Sequence, residues 1–259
     1  MKTAPEVAPT TVDCKPSVVP TKLNVEHEAD LANDADFFLK WGYLIVSEAL
    51  SGEQVVTLRS ALSDTIARRK SEFVHSLLEE DDRFSFLLDY PPVFRRIKKI
   101  LGTCVQLHSG TARVTTPGTA DQHWHRDSPW PMDPDLTPYG STPAQINCGY
   151  FLDDITAANG PTVLLPGSHR ALFRPPDSHV KFPDEVHATV RAGTAVLFDG
   201  HLFHRGAANH SSLPRRVVLM CYQNAWMKSR EKFDGPRTIK IREEGSSERK
   251  LLLGAMGSW

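Results

Sequence analysis

Residues 145–152, QINCGYFL, alternate with a period of two, and this alternation restricts the folds open to the chain. Successive side chains of a strand point to opposite faces. Ile146, Cys148, Tyr150 and Leu152 then share one face, and Gln145, Asn147 and Gly149 share the other. The apolar face calls for a core. Inward-pointing polar groups are costly unless they meet ligands or one another. A barrel or sandwich that carries a site satisfies both demands. The chain beyond residue 103 reads the same way. Short strands are predicted near 104–115, 121–127, 144–152, 162–165, 187–191, 194–199 and 215–223, separated by Gly- and Pro-rich turns.

Upstream, the period is that of helices. Residues 30–41 predict a short helix ending near Trp41-Gly42, then a strand from Tyr43 to Val46. Ser51 and Gln54 have capping-box spacing. Val55, Leu58, Leu62 and Ile66 recur at helical spacing through 52–69. A further helical stretch is expected over 71–80, ending in the acidic run EEDD as a solvated turn. Pro91 and Pro92 open a helix over 92–101, which Gly102 closes. Helices followed by many short strands predict a mainly β core with helices packed outside it. The expected organisation is a flexible arm over 1–24, rich in Pro, Thr and Val, and one domain over 25–259. Within that domain, helical support covers about 25–102, the β core about 103–225, and a C-terminal extension 226–259.

Composition narrows the function classes. The chain of 259 residues fits one substantial domain, and a formal charge of −1 gives no sign of a nucleic-acid surface. No segment approaches a membrane span, and the N-terminal residues lack the apolar stretch of a secretory signal. Four cysteines, at 14, 104, 148 and 221, have no CxxC spacing and suit free thiols in a reducing compartment. A cytoplasmic location is expected on that basis.

The chemistry begins at QHWHRDSPW, where His125 and Asp127 lie two residues apart. In an extended strand both point to one side and can reach one ion. Two imidazoles and a carboxylate on Fe(II) leave open positions for a chelating cosubstrate and dioxygen. A third ligand has to come from a distant strand, and FDGHLFHRGAANH offers His201, His204 and His210. His204, just past the apolar run AVLF (195–198) and just before Gly206, suggests a strand entrance, and His201 is its main competitor. An HxD pair by itself is also met as an ordinary hydrogen-bonded pair near a turn. Arg215 and Arg216 open the apolar run VVLMCY (217–222). Only one of them can point into a barrel, where a guanidinium fork matches a carboxylate.

These segments together resemble the phytanoyl-CoA dioxygenase family, and its fungal secondary-metabolism branch in particular. The likeness runs over roughly 35–225, through FFLKWGYLIVSEALS, PGTADQHWHRD, GYFLDDITAANGPTVLLPGSHR and AGTAVLFDGHLFHRGAANHSSLPRR. The resemblance implies a double-stranded β-helix (jelly roll) with N-terminal supporting helices. It implies an Fe(II)- and 2-oxoglutarate-dependent dioxygenase with iron ligands His125, Asp127 and His204. Arg215 would clamp the distal carboxylate of 2-oxoglutarate, Thr162 would assist it, and Gln122 would lie near the keto-acid end. His169, in the PGSH turn, is read as framework. Asp127 stands where the related halogenases have a smaller residue, which disfavours halogenation.

The expected reaction is oxidation of an aliphatic C–H position in a small, largely apolar natural product, by hydroxylation, desaturation or rearrangement. The candidate substrate-lining residues are Trp130, Met132, Tyr139, Phe151, Trp226 and Met227. An acyl-CoA hydroxylase is the first alternative, and a non-catalytic metal- or ligand-binding jelly roll the second. The resemblance also implies a homodimer.

Overall fold

The computed structural model describes residues 28–127, 143–171 and 173–255. The N-terminal arm expected over 1–24 lies outside them. The chain opens with α1 (Glu28–Trp41), β1 (Tyr43–Val46) and α2 (Gly52–Arg69). Gly42 links the first two at φ +80°, and a Cβ there would fall 2.5 Å from His169 Nδ1. Only glycine satisfies both demands. His169 packs against this junction, with Nε2 3.3 Å from the Leu39 carbonyl, so it serves the framework. Ser51 caps α2 through its Oγ, which accepts from the Gln54 N–H at 3.2 Å.

The continuous helix expected over 71–80 is not there. Phe73–Val74 instead form β2, and α3 is a single turn, Leu77–Glu80. Ser76 separates them at φ 50°, where a helix cannot continue. The acidic run is not a solvated turn either. Glu80 is buried and accepts from Arg69 and Arg68, whose pairing holds its carboxyl below the usual range despite burial. A 3-10 helix follows over Asp82–Asp89, then α4 (Pro91–Leu101).

Nine strands are described in all. The remainder are β3 (Val105–Thr115), β4 (Gln145–Phe151), β5 (Thr162–Leu164), β6 (Val186–His187), β7 (Ala195–Asp199), β8 (His204–Gly206) and β9 (Arg215–Asn224). Six form one antiparallel sheet in the order β1-β7-β4-β9-β3-β2, and three form a smaller sheet, β6-β5-β8. This is the jelly-roll arrangement with helices on one side. Ile146, Cys148 and Tyr150 of β4, with Val218, Met220 and Tyr222 of β9, pack against Phe38, Leu58, Leu62, Val93 and Ile97 of the helices. The opposite faces of the same strands line the cavity between the sheets. Most of the apolar burial is therefore on the helix side, which leaves the inner face free to carry polar groups.

Residues 121–127 do not form the expected regular strand. The segment runs beside β8 and makes one bridge, His125 to His204. Its N–H groups at Gln122, His125 and Asp127 reach the carbonyls of Gly206, His204 and Gly200 at 2.9–3.0 Å. The C-terminal extension carries two helices, α5 (Pro236–Glu244) and α6 (Ser247–Leu252).

Candidate active site

The isolated bridge puts His125 and His204 side by side, with backbone N–H···O distances of 3.0 and 3.1 Å. Asp127 Oδ1 lies 3.8 Å from His125 Nε2, and Oδ2 lies 3.3 Å from His204 Nε2. One ligand atom from each of the three residues lies within 4.8 Å of the others. His125 Nδ1 faces the His123 carbonyl at 2.9 Å, and His204 Nδ1 faces the Leu202 carbonyl at 2.9 Å. Each Nδ1 must carry the proton to donate, which leaves the Nε2 lone pair for a metal. The donor set fits a divalent first-row ion such as Fe(II).

In the metal-free cluster the carboxylate and the imidazoles shift one another, and a metal would displace any proton from His204 Nε2. Burial opposes charge on Asp127, but the field and hydrogen bond of His204 outweigh it and hold the carboxyl at about 2. Burial, then the neighbouring His204, lowers the His125 pKa and favours its ligating neutral form. On His204 burial works against charge, yet Asp127 raises its pKa. His201, the competing third ligand, sits beside Asp199 at 3.4 Å, outside the cluster. His210 is exposed elsewhere.

Asn147, on the inner face of β4, donates from Nδ2 to Asp127 Oδ2 at 2.9 Å. It is a positioning residue for the carboxylate. Asn147→Leu should weaken divalent metal binding by roughly 10–100-fold, the usual cost of losing such an outer partner. Calorimetry with Mn(II) on folded protein measures this. Unchanged affinity would show that the bond orients nothing.

Arg215 opens β9 opposite Thr115 of β3 and points into the cavity. Its Nη2 donates to Thr115 Oγ1 at 2.7 Å, and its guanidinium lies 5.7 Å from the Phe151 ring. Its Nε is buried with no hydrogen-bond partner among the described residues. Burial, then nearby Arg113, lowers its pKa to about 10, so it stays charged at neutral pH. A buried cation with a spare donor calls for an anion. Arg216 faces the other way and grips Asp153 with Nε and Nη2 at 3.0 and 2.9 Å.

Thr162 and Gln122 line the same cavity. Gln122 Oε1 accepts from the Gly206 N–H at 2.8 Å, so part of its side chain secures the ligand-bearing segment to β8. Phe151 lines the cavity as well. Trp130, Met132 and Tyr139 lie outside the described residues. Trp226 and Met227 do not line the cavity, contrary to expectation. The chain turns as β9 ends, with the Met227 N–H on the Asn224 carbonyl at 3.0 Å, and this leaves Trp226 75% exposed. Residues that sequence reasoning did not single out take part instead. Asn147, Thr111 and Arg113 are inward positions of strands, and Asn147 could have been found from the β4 alternation. His108 and Arg230 carried no such signal.

A jelly roll bearing two imidazoles and one carboxylate on a single face, beside a buried arginine, has the donor set of the non-haem iron class. Within that class the chain belongs to the phytanoyl-CoA dioxygenase (PhyH) family, whose pattern it matches over residues 38–217. The dioxygenase hkm4 of Aspergillus hancockii is 37% identical over 106 residues, which cover 41% of this chain and 34% of that one. The chain thus spans about a third of that relative's length. The ectoine dioxygenase of Bordetella parapertussis is 25% identical over 236 residues, covering 74% of this chain and 75% of that one. In fold, the chain is similar to HygX from Streptomyces hygroscopicus, solved with nickel and 2-oxoglutarate bound. The TM-score is 0.64 at 16% identity, covering 76% of this chain and 88% of that one. Among the described residues no helix is long and apolar enough to cross a membrane.

Proposed function

We propose that the protein is an Fe(II)- and 2-oxoglutarate-dependent oxygenase that oxidises an aliphatic C–H position of a small organic substrate in secondary metabolism. The outcome would be hydroxylation, desaturation or rearrangement. One observation carries this reading. The buried, incompletely partnered Arg215 lies in the same cavity as the His125–Asp127–His204 face. A dicarboxylate that chelates at one end and is clamped at the other would answer both features.

Each residue has a task in that reading. His125, Asp127 and His204 hold the metal from one side and leave the cavity side open. Arg215 pairs with the distal carboxylate in two-pronged fashion, and the Thr162 hydroxyl supports it. Gln122 keeps the ligand segment on β8. Phe151 covers the arginine and keeps water from weakening the ion pair. When bound, iron with 2-oxoglutarate and dioxygen supplies oxidation of the C–H bond, with release of succinate and carbon dioxide. The chain orients the target bond and excludes water. A homodimer and a cytoplasmic location belong to the same proposal, and light scattering tests the first.

The deciding experiment is anaerobic titration of the Fe(II)-loaded protein with 2-oxoglutarate. A visible charge-transfer band should grow and saturate, because bidentate chelation places the keto group on the metal. Iron-loaded protein that binds no 2-oxoglutarate would defeat the assignment.

A further inference from the structure

The in-facing residues of β4 run Phe151, Gly149, Asn147, Gln145, and those of β9 run Arg215, Val217, Leu219, Cys221 and onward to Gln223. Asn147 touches the metal-ligating carboxylate. Gln145 lies one two-residue step beyond it, about 7 Å farther from Arg215. The cavity therefore has an Arg215 end and, past the metal face, an opposite end. Every feature below belongs to that opposite end.

β3 is bulged there. Leu107 pairs with Tyr222 and Ser109 with Cys221, which leaves His108 as the extra residue. A bulge re-aims a side chain, and here the consecutive residues His108 and Ser109 both line the cavity. A regular strand could not place both on one face. The C-terminal segment completes the structure. The Arg230 and Glu231 N–H groups donate to the His108 carbonyl at 3.1 and 3.2 Å. The Glu231 carboxylate accepts from the Ser76 and Gly110 N–H groups at 3.0 Å each. The segment is thus tied to β3 at several points and holds Arg230 at the cavity wall.

Three polar side chains, Gln145, His108 and Arg230, line that end of the cavity, each with hydrogen-bonding capacity to spare. Gln145 is buried, its Nε2 rests on Cys221 Sγ at 3.0 Å, and its Oε1 has no hydrogen bond among the described residues. Gln223 Nε2 is committed to the Met227 carbonyl at 2.9 Å, so its Oε1 faces His108 Nδ1 at 2.6 Å. His108 must donate there, and its Nε2 is left as an acceptor. Burial keeps His108 neutral by lowering its pKa. The Arg230 side chain has no ion pair or hydrogen bond among the described residues, although its positive field reaches Asp127 and His108.

From this we infer that Arg230, His108 and Gln145 form a substrate-recognition subsite for a small molecule that carries both a carboxylate and a hydrogen-bond donor, as a free amino or imino acid does. The carboxylate would pair with Arg230. An N–H or O–H donor would meet Gln145 Oε1 and His108 Nε2. The inference rests on the oxygenase reading, since it takes Arg215 to be occupied by the cosubstrate.

The test uses full-length protein loaded with Mn(II) and 2-oxoglutarate, so that binding is read without turnover. A panel of free amino and imino acids is screened by thermal shift, and the tightest is titrated by calorimetry beside its methyl ester. The ester should bind at least about tenfold more weakly, the scale of one charge-assisted hydrogen bond. Arg230→Ala should cost the free acid a similar factor and leave the ester unaffected. Gln145→Leu should weaken both forms. Equal binding of acid and ester, no effect of Arg230→Ala, or no binding by any panel member would overturn the subsite. The 2-oxoglutarate affinity of each variant is measured alongside. Intact cosubstrate binding with a failed panel defeats the subsite alone. Lost cosubstrate binding in the unmodified protein defeats the oxygenase reading and the subsite with it.

Discussion

Arg215→Leu should lower 2-oxoglutarate affinity by about 2–5 kcal/mol, the range for truncating one member of a desolvated, hydrogen-bonded charge pair. The structure supplies the reason for a large value. Arg215 is buried, its Nη2 donates to Thr115, and its Nε has no partner among the described residues. A carboxylate arriving there meets a cation that has already been stripped of water. Leucine would leave that carboxylate buried and unpaired. Arg216→Leu should change cosubstrate binding little, because its guanidinium is turned outward to Asp153. Lysine at 215 should restore only part of the loss, since it keeps the charge and loses the planar fork. Titrating the three variants with 2-oxoglutarate ranks them. A greater loss at 216 than at 215 would refute the cosubstrate role given to Arg215.

Asp127→Ala should abolish 2-oxoglutarate-dependent succinate release. It removes the only carboxylate of the ligand cluster, so metal binding should fall by more than the roughly 10–100-fold that outer-partner changes cost. The same change alters the imidazoles. Asp127 is what raises the His204 pKa against burial, so without it His204 should titrate lower. NMR titration of metal-free protein reads that shift, and succinate assays read the turnover. Full activity in the variant would remove Asp127 from the ligand set.

What was legible in the sequence was governed by short-range periods. The alternation of β4 foretold an apolar face and a polar one, and the structure puts helices on the first and the cavity on the second. The capping box at Ser51 and the stripe of α2 follow from local spacing in the same way. The missed features depend on partners far away in sequence. Residues 71–80 read as helical, but Phe73 and Val74 are claimed by β3, and Ser76 breaks the chain's course. Glu80 looked solvated because nothing nearby in the sequence marks Arg68 and Arg69 as its partners in space. The His108 bulge exists through pairing with β9, and Arg230 reaches the cavity through backbone bonds to that bulge. Trp226 was an expected lining residue, yet a turn after β9 carries it to the surface.

The outer grip on Asp153 has a reach beyond its own energy. Asp153 accepts from the backbone N–H of Arg216 at 2.8 Å as well as from its guanidinium, and Arg59 of α2 approaches it at 3.2 Å. Arg59 Nε also donates to the neighbouring Leu152 carbonyl at 2.6 Å. Were β9 to slide by one residue, Arg216 would swing inside, Arg215 would swing out, and the clasp with α2 would come apart. The helical layer thus works as a combination lock on strand alignment. A surface residue such as Arg59 helps decide which of two adjacent arginines is aimed at the metal chamber.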